Sequence, residues 1–115
     1  MADIDTLRDQ LRTFAAERDW DQFHSPKNLA SALAVEAAEL LEIFQWLTEA
    51  QSQALPPDAL EGVRQEVADV LLYLIRISDK LGIDLIAAAQ AKIELNAAKY
   101  PVDLSRGTSK KYDQL

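Results

Sequence analysis

The 115 residues carry a net charge of −7 and a sequence pI near 4.6, so long-range repulsion argues against a nucleic-acid polymer or an anionic membrane as partner. Without cysteine there is no disulfide framework and no thiolate metal site, and a single histidine cannot build a multi-histidine one, which leaves oxygen donors as the only metal chemistry. The length suits one domain spanning 1–115, close to the size at which partner subunits often complete a core.

The N-terminus, Met1-Ala2-Asp3-Ile4-Asp5, is acidic and lacks the basic-then-apolar order of a signal peptide. No uninterrupted apolar run approaches the roughly 18 residues of a membrane span, so the expected address is the cytoplasm.

Three Gly and four Pro, clustered at a few places, punctuate a chain with no convincing period of two, and an all-α fold is expected. A first helix is expected from about Asp5 to Arg18, with Ile4, Leu7, Leu11 and Phe14 at steps of three and four. A linker dense in aromatic and polar side chains, Trp20 to Asn28, follows and contains Ser25-Pro26, a suitable N-cap with Pro in the first turn. The second helix is expected from about Lys27 to Thr48, with Leu29, Leu33, Leu40, Ile43 and Leu47 on one face, and a polar segment from Glu49 to Asp58 ends it.

The third helix is expected from about Ala59 to Leu81, with Val63, Val67, Val70, Leu74, Ile77 and Leu81 as its stripe and Gly82 as its stop. Asp84 caps a fourth, about Leu85 to Lys99, which Tyr100-Pro101 ends. The tail from Val102 to Leu115, with Arg106, Lys110, Lys111 and Tyr112, has little periodicity and reads as an extended arm.

Two acidic pairs stand out, Glu36 with Glu39 on the second helix and Glu66 with Asp69 on the third. At i and i+3 two side chains lie on one side of a helix, about 5–6 Å apart at Cβ, and form a two-oxygen claw of the kind a hard divalent cation takes. Glu36 lies only about 20–30° from the apolar line through Leu29, Leu40 and Leu47. A carboxylate there is stable only when neutralised, paired or metal-bound. From Glu39 to Thr48 is about 13 Å of helix and from Ala59 to Glu66 about 10 Å, so in an antiparallel hairpin both pairs reach similar depth. The geometry permits one shared Mg²⁺ site, with Mn²⁺ able to take its place.

ExxE followed after positions 40 to 65 by ExxD resembles the signature of the all-α nucleoside triphosphate pyrophosphohydrolases, the MazG-like superfamily. Phe14 to Trp20, Gln22-Phe23-His24, Pro26 and Asn28-Leu29 are similar to its dCTP pyrophosphatase branch. Phe44-Gln45-Trp46, Asp69-Val70-Leu71, Tyr73-Leu74 and Lys92 with Asn96, Lys99, Tyr100 and Pro101 continue the likeness over about Leu11 to Tyr112. The chain departs from the pattern at Leu11, where some animal members carry His.

The resemblance implies a four-helix bundle with an extended C-terminal tail, assembled as a homodimer or homotetramer. It implies that Glu36, Glu39, Glu66 and Asp69 hold Mg²⁺ and that Trp20, Phe23, His24, Trp46 and Tyr73 meet the base and sugar. Lys92, Asn96 and Tyr100, with Lys110 and Lys111 from the tail, would meet the phosphates. The reaction so implied is water attack at the α-phosphorus of dCTP or a 5-modified dCTP, giving the monophosphate and pyrophosphate in nucleotide-pool sanitation. The spacing does not single out the general base, and Glu39 is expected to fill that role.

Two rival readings remain from the residues alone. A non-catalytic helical oligomerisation module explains the apolar stripes but not Glu36 on one of them. A di-iron carboxylate bundle calls for Glu-x-x-His elements, and none occurs.

Overall fold

The computed structural model describes residues 3–115, and among these every regular element is helical. The order is α1 (Ile4–Glu17), α2 (Pro26–Phe44), α3 (Glu49–Ser52), α4 (Pro57–Leu81), α5 (Leu85–Lys99) and α6 (Val102–Ser105), with single 3-10 turns at Asp21–Phe23 and Tyr112–Gln114. None of these helices is long and apolar enough to cross a membrane. The chain divides into two compact units, one ending at Gly82 and one running Ile83–Leu115.

In the first unit α2 and α4 form the main packed pair, and α1 lies against α4. The pairing is antiparallel. Ile43, near the end of α2, meets Gly62, near the start of α4, and Glu36 and Glu39, further back on α2, meet Glu66, further on along α4. Gly62 permits the close approach, since a Cβ there would sit 3.4 Å from Ile43 Cδ1. Ala15, Leu29 and Ile75 form the fully buried apolar core, one from each of the three helices.

Local signals set the helix ends. Asp3 accepts from Thr6 N at 2.8 Å and Ser25 from Asn28 N at 3.1 Å, each satisfying a free first-turn donor. Gly82, at φ +67°, closes α4 in the left-handed conformation that a side chain resists.

The second helix is shorter than its periodicity suggests. It ends at Phe44, and Thr48 instead starts a new helix in a reciprocal capping box, accepting from Gln51 N while Gln51 Oε1 accepts from Thr48 N. Trp46 and Leu47 thus fall in the turn between the two helices, and Trp46 is 87% exposed.

In the second unit the tail is not extended throughout. It makes the turn of α6 and folds back so that Tyr112 stands edge-on to Tyr100, with centroids 6.2 Å apart, and Lys99 Nζ lies 4.8 Å from the Tyr112 ring centre. The helix α5 buries none of its residues.

Candidate active site

The acidic pairs converge as the antiparallel register requires. Glu36, Glu39 and Glu66 each offer a carboxylate oxygen, and the three oxygens lie within 4.8 Å of one another. One oxygen of Glu36 and one of Glu66 are buried with no hydrogen-bond donor. Two carboxylates this close repel, and the Glu36 carboxyl is pushed up from 4.5 to about 7, first by its contact with Glu66, then by burial, Glu39 and the charge of Asp69.

A divalent cation supplies what this cluster lacks. It offers positive charge to oxygens that have no donor, and it suits an all-oxygen set with half-buried walls. The residues present therefore fit a Mg²⁺-type ion.

Asp69 is separate from the three-oxygen cluster. It is close enough to raise Glu36, yet its side chain lines a neighbouring cavity of about 430 Å³. Asp69 thus stands at the boundary between the acidic cluster and the cavity. Trp20, His24 and Tyr73 line that cavity too, as do Leu11 and Arg76.

The local backbone explains how an aromatic linker becomes a cavity wall. After α1 the chain passes through Asp19 at φ +54°, a left-handed conformation that Asp tolerates better than most residues. Trp20 N then donates back to Ala15 O at 2.9 Å, which turns the indole onto α1. Its ring meets Phe14 edge-on at 5.7 Å and His24 at 6.3 Å. Asn28 Nδ2 donates to Phe23 O and ties the linker to the start of α2.

The structure brings together only part of the expected aromatic set. Phe23 is exposed and Trp46 more so, and neither lines the cavity. Lys92, Asn96, Tyr100, Lys110 and Lys111 all belong to the second unit. There Lys92 and Asn96 share an exposed row on α5, Tyr100 is half-buried against Tyr112, and Lys110 and Lys111 are exposed.

Arg76 is the functional candidate that the sequence reading passed over. It is 5% exposed and extends the Asp69–Tyr73 flank of α4 by one further turn. A signal for it was present, because it is the only charge in the run from Val70 to Ser78. A charge in such a run is stable only with partners, and partners imply a built polar site.

The family model described as the MazG-like family matches residues 32–115. The dCTP pyrophosphatase 1 of Mus musculus is 44% identical over 114 residues, 97% of this chain and 67% of that protein. Its Homo sapiens counterpart is 40% identical over the same shares. Among solved structures, a pyrophosphatase from Archaeoglobus fulgidus is 41% identical with a TM-score of 0.77, covering 88% of this chain and 94% of that one.

Proposed function

The chain belongs to the MazG-like family and is a nucleoside triphosphate pyrophosphohydrolase, and from that premise we propose that its substrate is dCTP or a 5-modified dCTP. The observation that carries the reading is the adjacency of an acidic cluster containing donorless oxygens and an aromatic cavity, joined through Asp69. The whole of 1–115 acts as one catalytic domain. A purely structural module would leave the donorless oxygens of Glu36 and Glu66 as uncompensated cost.

Glu36, Glu39 and Glu66, with Asp69 at the edge, would hold Mg²⁺. When bound, that ion draws charge from phosphate oxygens and acidifies water. Trp20 and Tyr73 take the base and sugar, and the cavity excludes water around them. Glu39 accepts a proton from the attacking water as a new P–O bond forms at the α-phosphorus. The bond from that phosphorus to the bridging oxygen breaks, releasing pyrophosphate and leaving the monophosphate.

A screen of all nucleoside and deoxynucleoside triphosphates with Mg²⁺, scoring pyrophosphate against phosphate release, tests this. Pyrophosphate release with dCTP or a 5-modified dCTP preferred is expected. Phosphate release, or no turnover of any nucleotide, rejects it.

The acidic cluster makes a further prediction about pH. Glu36 has a folded value near 7, above the ordinary 4.5, so its contribution to stability is greatest below about 4.5 and is lost as pH rises through about 7. Asp21 and Asp79, held low by their cationic partners, act in the opposite sense and only at acid pH. The metal-free melting temperature should therefore fall between about pH 5.5 and about pH 8, and added Mg²⁺ should raise it more at the higher pH. A melting temperature indifferent to Mg²⁺ and EDTA at both values removes the ion from this cluster.

The protein also acts as a homo-oligomer on this reading. Leu41 and Trp46 of the first unit and Ile93, Leu95, Val102 and Leu104 of the second are all more than half exposed, an unfavourable state for isolated chains that a second copy relieves. Light scattering should give a mass of two or four chains, and a monomer at micromolar concentration sinks the proposal.

A further inference from the structure

His24 is the one histidine of the chain, and its ring forms part of the cavity wall beside Trp20. Its Nδ1 accepts a hydrogen bond from Arg76 Nε at 3.1 Å. A guanidinium has donors only, so the bond requires a lone pair on Nδ1, and the ring proton then resides on Nε2. Among the described residues, no protein group accepts from Nε2.

Arg76 is itself held by the protein. Its Nη2 pairs with Asp21 and its Nη1 lies 3.7 Å from Asp79 Oδ2, so each of its three nitrogens faces a protein partner. Those acids are held in turn, Asp79 by Arg12 Nε at 2.7 Å and Asp21 by Lys80 at 3.0 Å. The network ties together α1, the linker and α4. It also commits Arg76 Nε to His24, so the orientation of the imidazole depends on the guanidinium.

We infer that Arg76 is a positioning residue that holds His24 as its Nε2–H tautomer, so that His24 presents a fixed N–H donor to an acceptor edge of the base bound in the cavity. The inference rests on the nucleotide reading above and narrows it. An unprotonated ring nitrogen beside a carbonyl, the edge that cytosine offers, meets such a donor. The N3–H of uracil or thymine opposes it. Burial first, and then the charge of Arg76 with a smaller push from Lys80, keeps the imidazole below its ordinary 6.5 against the pull of Asp21, consistent with a neutral ring. His24 thus acts as a donor and not as the general base.

One histidine means one imidazole in a long-range nitrogen–proton correlation spectrum of the full-length protein. The wild type should show a protonated Nε2 and an unprotonated Nδ1. In Arg76→Met the Nδ1–H form should appear, and the titration midpoint should rise because the larger of the two cationic charges opposing Asp21 is gone. Arg76→Lys, which keeps a cationic donor, should restore part of the wild-type spectrum. In turnover assays Arg76→Met should raise KM for dCTP about tenfold, the worth of one hydrogen bond, with a smaller change in kcat. His24→Gln places an amide nitrogen near the Nε2 position and should keep the preference for dCTP over dUTP, whereas His24→Asn should lose it.

A wild-type ring protonated on Nδ1, or on both nitrogens at neutral pH, overturns the inference even if dCTP is hydrolysed. The expected spectrum with no hydrolysis of any nucleotide overturns the assignment to a base and the nucleotide reading with it, leaving the tautomer intact. If Arg76→Met does not fold, the wild-type spectrum and the His24 pair decide the question by themselves.

Discussion

Glu36→Gln is expected to lower turnover of the preferred nucleotide by about 10³-fold or more while raising the melting temperature of the metal-free protein. The two effects have one cause. Glu36 sits among Glu39 and Glu66 with one oxygen buried and without a donor, and its raised value near 7 shows that ionising it in the fold is unfavourable. An amide of the same shape removes that repulsion and brings an N–H donor toward the oxygen of Glu66 that lacks one. It also removes an anionic oxygen from the cation site. Loss of several kcal/mol of metal-derived transition-state stabilisation corresponds to about 10³-fold in rate. Helix content should be unchanged, and the Mg²⁺-dependent rise in melting temperature should shrink or vanish. Near-normal turnover in this variant would take Glu36 out of the proposed site.

Asp69→Asn should also reduce turnover steeply, by about 10²-fold or more, but with a different signature. Asp69 faces the cavity and is not part of the three-oxygen cluster, although its charge is felt at Glu36. The three glutamates remain in the variant, so a Mg²⁺-dependent rise in melting temperature should persist in reduced form. Turnover should nevertheless fail, because the anionic group between the acidic cluster and the base cavity has been neutralised. If instead the variant loses Mg²⁺ stabilisation as completely as Glu36→Gln, Asp69 is a full ligand and the cluster closes around it when the ion binds. Normal turnover would reduce Asp69 to a wall of the cavity.

Several parts of this arrangement were legible in the chain. The i, i+3 spacing of both acidic pairs, the position of Glu36 on an apolar stripe and the similar depths measured from the intervening turn all follow from helix geometry. The end of α2 was less legible. Leu47 continues the apolar period, yet Thr48 and Gln51 form a capping box that ends one helix and begins another, so local hydrogen bonding prevails over periodicity.

What the sequence determined by itself is the helical architecture and the chemical class of the metal donors, since periodicity, caps and the absence of cysteine act through near neighbours or through composition. Only tertiary structure decided which side chains share a site. Asp69 parts from Glu66 although they lie on one flank of α4, because one lies against α2 and the other borders a cavity walled by α1 and the linker. Trp46 is left in an exposed turn, and Arg76 acquires partners from segments more than 50 residues away. Such pairings depend on how the helices pack and where the linker returns, which helical spacing within a single segment does not encode.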